Sequence, residues 1–182
     1  AIAIPALNDK VAYRNIRSGK LENILVNGDL KIDTTNARLE FPGGNDQGSV
    51  HVQVINFGDN VFRAYDISLS PLWMFNLQPG PIKVTGDITL SIKMPRLYGS
   101  FDYIPADDTP VLLMGLDPQS LKLKPIGVGI IQNNTVISQG PIQAERLDYV
   151  GYTLVESRHH VLLQDHLEGN ISLQQLTTSL TR

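Results

Sequence analysis

Apolar and polar residues alternate with period two along most of the chain, in short runs separated by turn-forming residues. Leu21 to Val26 and Asp29 to Ile32 flank Asn27-Gly28. That dipeptide favours a tight hairpin because a type I′ turn needs positive φ at both central positions. Ala37, Leu39 and Phe41 alternate up to Pro42-Gly43-Gly44. Val50, Val52 and Val54 share one face, with Ser49, His51 and Gln53 on the other. Gly58-Asp59-Asn60 breaks the chain before a further run, Val61 to Leu69. Pro71 to Pro81 carries Trp73 and reads as a buried edge segment or a loop over the end of the core.

Ile82 and Val84 lead into Ile88, Leu90 and Ile92, with Thr89, Ser91 and Lys93 opposite; Gly86 inside the run predicts a bulge. A turn-rich loop follows from Pro95 to Pro110. Val111 to Leu116 is continuously apolar, which predicts a strand covered on both faces. After Asp117-Pro118-Gln119-Ser120, Leu121 and Leu123 alternate with Lys122 and Lys124, and Ile126, Val128 and Ile130 follow. Asn133-Asn134 predicts a hairpin turn into Thr135–Ser138, and Ile142–Leu147 and Tyr149–Val155 are the last expected strands. At the end the period changes. Ser157 to Leu167 can form a short helix, and Leu173, Leu176 and Leu180 lie on one face of another, capped by Asn170 or Ser172.

This pattern predicts an all-β fold of about ten strands: a two-sheet antiparallel β-sandwich, of jelly-roll or immunoglobulin-like type. It spans residues 1–182 as one domain, with 157–182 a helical tail. Turns every 8–12 residues favour a sandwich or barrel, and no helical stretch suited to a parallel crossover lies between the strands.

Composition narrows the function. The chain has 182 residues, a net charge of −3, and no cysteine. A basic footprint for nucleic acid is therefore missing, and thiolate metal sites, disulfides and cysteine nucleophiles are excluded. No run approaches the length of a membrane-spanning helix. The start, Ala1-Ile2-Ala3-Ile4-Pro5, is too short and uncharged for a signal peptide and reads as a processed or excised N-terminus. Asn133 and Asn170 open two sequons that matter only in a eukaryotic secretory setting.

Three stretches resemble a known family: Gly86-Asp87-Ile88-Thr89-Leu90-Ser91-Ile92, Tyr103 through Met114, and Leu121 through Gly129 with its Leu123-Lys124-Pro125-Ile126-Gly127 hairpin sequence. They are similar to ZU5-type β-sandwich modules of large secreted or surface-anchored bacterial proteins, over about residues 82–155. The N-terminal half, with Leu39-Glu40-Phe41-Pro42-Gly43-Gly44, follows that pattern only loosely. The His-Phe-Ser motif of autoproteolytic relatives is absent, so no cleavage site is carried over. The resemblance implies a structural or adhesive module within a longer extracellular polypeptide.

Candidate chemistry is sparse. His159, His160 and His166 cluster with Asp165 and Glu168, but a zinc pair on a helix wants i, i+4 spacing and a third ligand, which would have to be His51. A solvated polar face is the simpler reading. Asp107-Asp108 sits in a proline-flanked turn, where Asp bonds the local backbone. Calcium held near these residues or Asp59 is the alternative, since hard oxygen ligands in loops suit it, yet the spaced Asp-x-Asp-x-Asp-Gly loop is missing. No Gly-x-Ser-x-Gly elbow occurs, and Gly127-Val128-Gly129 leads into a strand, not a helix. Tyr98, Phe101 and Tyr103, with Trp73, form a candidate binding surface; aromatics in a long loop also serve to pin it to a sandwich.

The expectation is a non-enzymatic structural or adhesive module at a bacterial cell surface or outside the cell. Its partners would be neighbouring domains or other protein subunits, a homo-oligomer included. The alternative is a viral or phage jelly-roll subunit that self-assembles in a virion.

Overall fold

The computed structural model describes residues 13–24, 29–56, 73–94, 105–142 and 144–181. Among them are ten strands: β1 (Tyr13–Arg17), β2 (Leu21–Asn23), β3 (Leu30–Glu40), β4 (Gln47–Asn56), β5 (Trp73–Gln78), β6 (Lys83–Lys93), β7 (Pro110–Leu116), β8 (Leu123–Gln132), β9 (Thr135–Gln139) and β10 (Tyr149–Thr153). Two helices follow, α1 (His160–Leu167) and α2 (Leu173–Leu180). No helix among the described residues is long and apolar enough to cross a membrane.

All pairings between these strands are antiparallel, as the alternation predicts. The strands join one sheet in the order β1-β4-β5-β10-β7-β8-β9-β6-β3-β2. Its two edge strands, β1 and β2, are consecutive in sequence and separated only by residues 18–20. One bent segment thus pairs with β4 by its first half and with β3 by its second, which brings the sheet round almost into a barrel. The bend is clamped from both sides. Ser18 N–H donates to Asp46 O at 2.9 Å, Leu39 N–H donates to Ser18 Oγ at 2.7 Å, and Gly19 N–H donates to Thr34 O at 3.0 Å. Lys20 N–H donates to Thr34 Oγ1 at 3.2 Å. Bringing the two edge strands into one short bent segment keeps the remaining open edge brief, which limits edge-to-edge pairing.

The side-chain pattern explains what fills the ring. On β3, Leu30 and Ile32 are even-numbered and Leu39 is odd, yet all three join the inner core. The parity switches at a bulge: Asp33 faces Thr89 and Asn36 faces Asp87, so two residues of β3 oppose one of β6. Gly86 does mark this irregularity, but the extra residue lies on the partner strand. Its φ of +102° and the position of Asn36 O, 2.6 Å from where a Cβ would be, admit only glycine. A second bulge inserts Ile126 into β8, between the partners of Leu113 and Met114. Ile126 packs over Gly115, where an added Cβ would be 2.8 Å from its Cγ2.

Strand β7 is buried at every position. Val111 and Leu113 enter the inner core, while Leu112, Met114 and Leu116 enter a second cluster on the outer face, under Leu163 of α1 and Leu173, Leu176 and Leu180 of α2. The continuous apolar run is therefore a strand covered twice, as expected. Helix α2 starts where the sequence predicts. Ser172 caps it, its Oγ accepting from Gln175 N–H at 3.1 Å while Gln175 Oε1 accepts from Ser172 N–H at 2.7 Å.

Three expectations are corrected. The Trp73 segment is neither an edge nor a loop: β5 lies inside the sheet between β4 and β10. The alternation read from Leu121 starts two residues later: Leu121 and Lys122 precede β8, which begins at Leu123 and runs on through Ile130. Ile142–Leu147 makes no strand and touches β6 only through the isolated bridges Ile88–Ile142 and Lys83–Arg146. Pro141, which lacks an N–H donor, stands at the start of that stretch. The turn at Asn27-Gly28, the break at 58–60 and the run 61–69 lie outside the described residues.

Candidate functional site

The sequence-predicted residues fall in several places. Tyr98, Phe101 and Tyr103 lie outside the described residues, and of Trp73 only its backbone place is described, opposite Asn56 and Tyr152. Asp107 and Asp108 occupy the turn before β7 and hold the β8–β9 hairpin. Asp107 Oδ1 accepts from Asn133 N–H at 2.9 Å, and Asp108 Oδ1 accepts from Gln132 Nε2. Asp108 N–H donates to Ile131 O at 2.8 Å, and Asp108 takes a left-handed φ of 66°. Neither carboxylate bonds its own turn, as turn aspartates usually do; both reach across to the β8–β9 hairpin, Asp107 to a backbone N–H and Asp108 to a side-chain amide.

The histidines are dispersed. His159 precedes α1 and His160 opens it, its Nε2 3.3 Å from Val155 O. His166 ends α1, with Nδ1 3.0 Å from Ile171 O, so its ring tethers the α1–α2 loop. His51 lies on β4, across from Gln78. Among the described residues, no three His, Cys, Asp or Glu side chains come together as a group able to hold a metal ion.

A trough of about 1,260 Å³ lies between the helices and the sheet. It opens where the described residues 140–142 and 144–147 form no strand. Beyond Gln139, β9 leaves the ladder while β8 and β6 run on, and the chain crosses between them without regular pairing. Ile142 N–H reaches Ile88 O only at 3.4 Å, whereas Val84 N–H donates to Glu145 O at 2.9 Å and Leu147 N–H donates to Ile82 O at 2.9 Å. Ile142 packs beside Gly127, where an added Cβ would be 3.7 Å from its Cγ1. This seam forms the floor, with Pro125, Ile126 and Ala144; α1 and α2 overhang it with Gln164, His166, Leu167, Gln174, Thr177 and Thr178.

Three of the trough's ionisable side chains are engaged with the fold, and the exposed Asp87 is a further carboxylate in the lining. Lys124 Nζ contacts Glu145 Oε1 at 3.0 Å, joining β8 to the seam, and His166 is tethered as above. The remaining polar lining is mostly amide and hydroxyl: Gln139, Gln164, Gln174, Thr177 and Thr178. Such groups position a partner by hydrogen bonding.

A second constellation was visible in sequence only as polar positions. His51 and Gln53 of β4, Asn76 of β5 and Tyr149 of β10 are buried, although period-two alternation places 51 and 53 on the outer, nominally solvated face. Register brings them together, with Gln53 opposite Asn76 and Asn76 opposite Tyr149. Asn76 Nδ2 donates to Asp148 O at 2.9 Å, and Gln78 Nε2 donates to Asn76 Oδ1 at 2.6 Å. Beside them Arg146 and Asp148 form a fork-like ion pair, Nε to Oδ1 at 2.8 Å and Nη2 to Oδ2. Burial, with the nearby Asp148 charge, pushes the Tyr149 phenol above its usual range; Arg146 works against that.

No family model matches this chain, nor does any curated protein or solved structure.

Proposed function

We propose that this chain is a non-enzymatic module of a bacterial extracellular or cell-surface protein, acting through surface complementarity with neighbouring domains or other protein subunits. The observation that carries this reading is the trough. It is wide and open, its ion pair and its histidine tie parts of the fold together, and its other polar groups are suited to holding a partner. The packing supports the same reading: the strands of the ring and their flanks fill the inside with apolar side chains, so a partner is met on the outer surface. The ZU5-like sequence features of residues 82–155 include the Lys124–Gly127 stretch that walls the trough.

The absence of cysteine allows a clean test. Thr178→Cys, exposed on the trough side of α2, and Arg38→Cys, exposed on β3, each carry a photo-crosslinker in the polypeptide displayed on its host cell. Adducts to protein from position 178 and none from position 38 are expected. Equal labelling from both, or no protein adduct from position 178, overturns the reading. A strict monomer in light scattering of the isolated domain at high concentration counts against the alternative, a self-assembling virion subunit.

A further inference from the structure

We draw no further inference here: the strongest candidate, the trough between the α1–α2 pair and the irregular seam joining β8 to β6, belongs to the site already described, and nothing in the structure shows what covers it.

Discussion

The two hydrophobic clusters are built from the same sheet but differ in what completes them. The inner one draws on all ten strands or their immediate flanks, from Ile16 and Ile24 at the closing bend to Val150 and Tyr152 of β10. The outer one uses only β5, β10, β7 and β8, and it exists because α1 and α2 lie across them. Burying apolar area stabilises both by about 25 cal/mol per Å². Their cooperativity differs, however. Losing an inner contact loosens strands around the whole ring, whereas an outer contact ties down two eight-residue helices that are too short to be stable alone. Next to the outer cluster, on β4 and β5, the same outer face carries buried polar residues. Asn76 is hydrogen-bonded there, to Asp148 O and by Gln78 Nε2, as a buried polar group requires.

The contrast predicts graded effects. Phe75, fully enclosed in the inner core, is expected to lose about 3–5 kcal/mol on truncation to Ala, read as a lower urea midpoint for the whole transition. A change confined to local probes would contradict a shared core. Asp148→Ala is expected to cost about 3 kcal/mol, because it strands the largely buried Arg146 guanidinium. A loss under about 1 kcal/mol would show that water replaces the pair.

Leu176→Ala in the outer cluster is expected to cost about 2 kcal/mol, at the lower end for such truncations because the helix can settle onto the sheet. Hydrogen exchange supplies the sharper reading: amides of α2 should open below the global unfolding free energy and those of β7 only with it. Uniform protection would merge the two clusters into one cooperative unit.

The tyrosines carry the contrast into pH. Tyr152 belongs to the inner cluster, and burial pushes its phenol up to about 12; Tyr149, in the outer cluster, is also raised. Each contributes stability that is fully present below the unfolded-state value near 10. As pH rises past that value the unfolded chain releases its protons first, and the contribution is lost through the folded-state pKa. Stability should therefore fall between about pH 10 and 12, and Tyr152→Phe should flatten that fall more than Tyr149→Phe does. An unchanged alkaline slope in Tyr152→Phe would refute the assignment. The smallest effect is expected from Ser172→Ala, about 1 kcal/mol through the lost cap of α2. Gln175→Ala added to it should cost little more, because the two groups form one reciprocal cap.

Much of this architecture was legible in the chain. Ile88, Leu90 and Ile92 alternate in sequence and all three face inward. The apolar run of β7, the Asn133-Asn134 turn with both φ values positive, and the Ser172 cap also lie where pattern and turn chemistry place them. Such features depend on neighbours within a few residues. The site was scarcely legible. His166 and Asp107 were visible as polar side chains, but their contacts with Ile171 O and Asn133 N–H follow from how separate turns meet. Alternation puts His51 and Gln53 on the face opposite the valines and leaves their burial open, since it reports which way a side chain points and not what lies above it.

The sequence by itself determined the strand character, the antiparallel class and the helical ending, because each is set by local backbone preference and by the side-chain period. The tertiary structure alone decided that the ten strands close through one bent segment at Ser18–Lys20, and that two bulges reset which side chains face inward. It likewise decided that residues 140–142 and 144–147 bridge two strands without regular pairing and so leave a trough. Those outcomes hinge on hydrogen bonds between residues far apart in the chain, such as Ser18 with Asp46, and the loop-closing entropy and packing that select such contacts belong to the whole molecule.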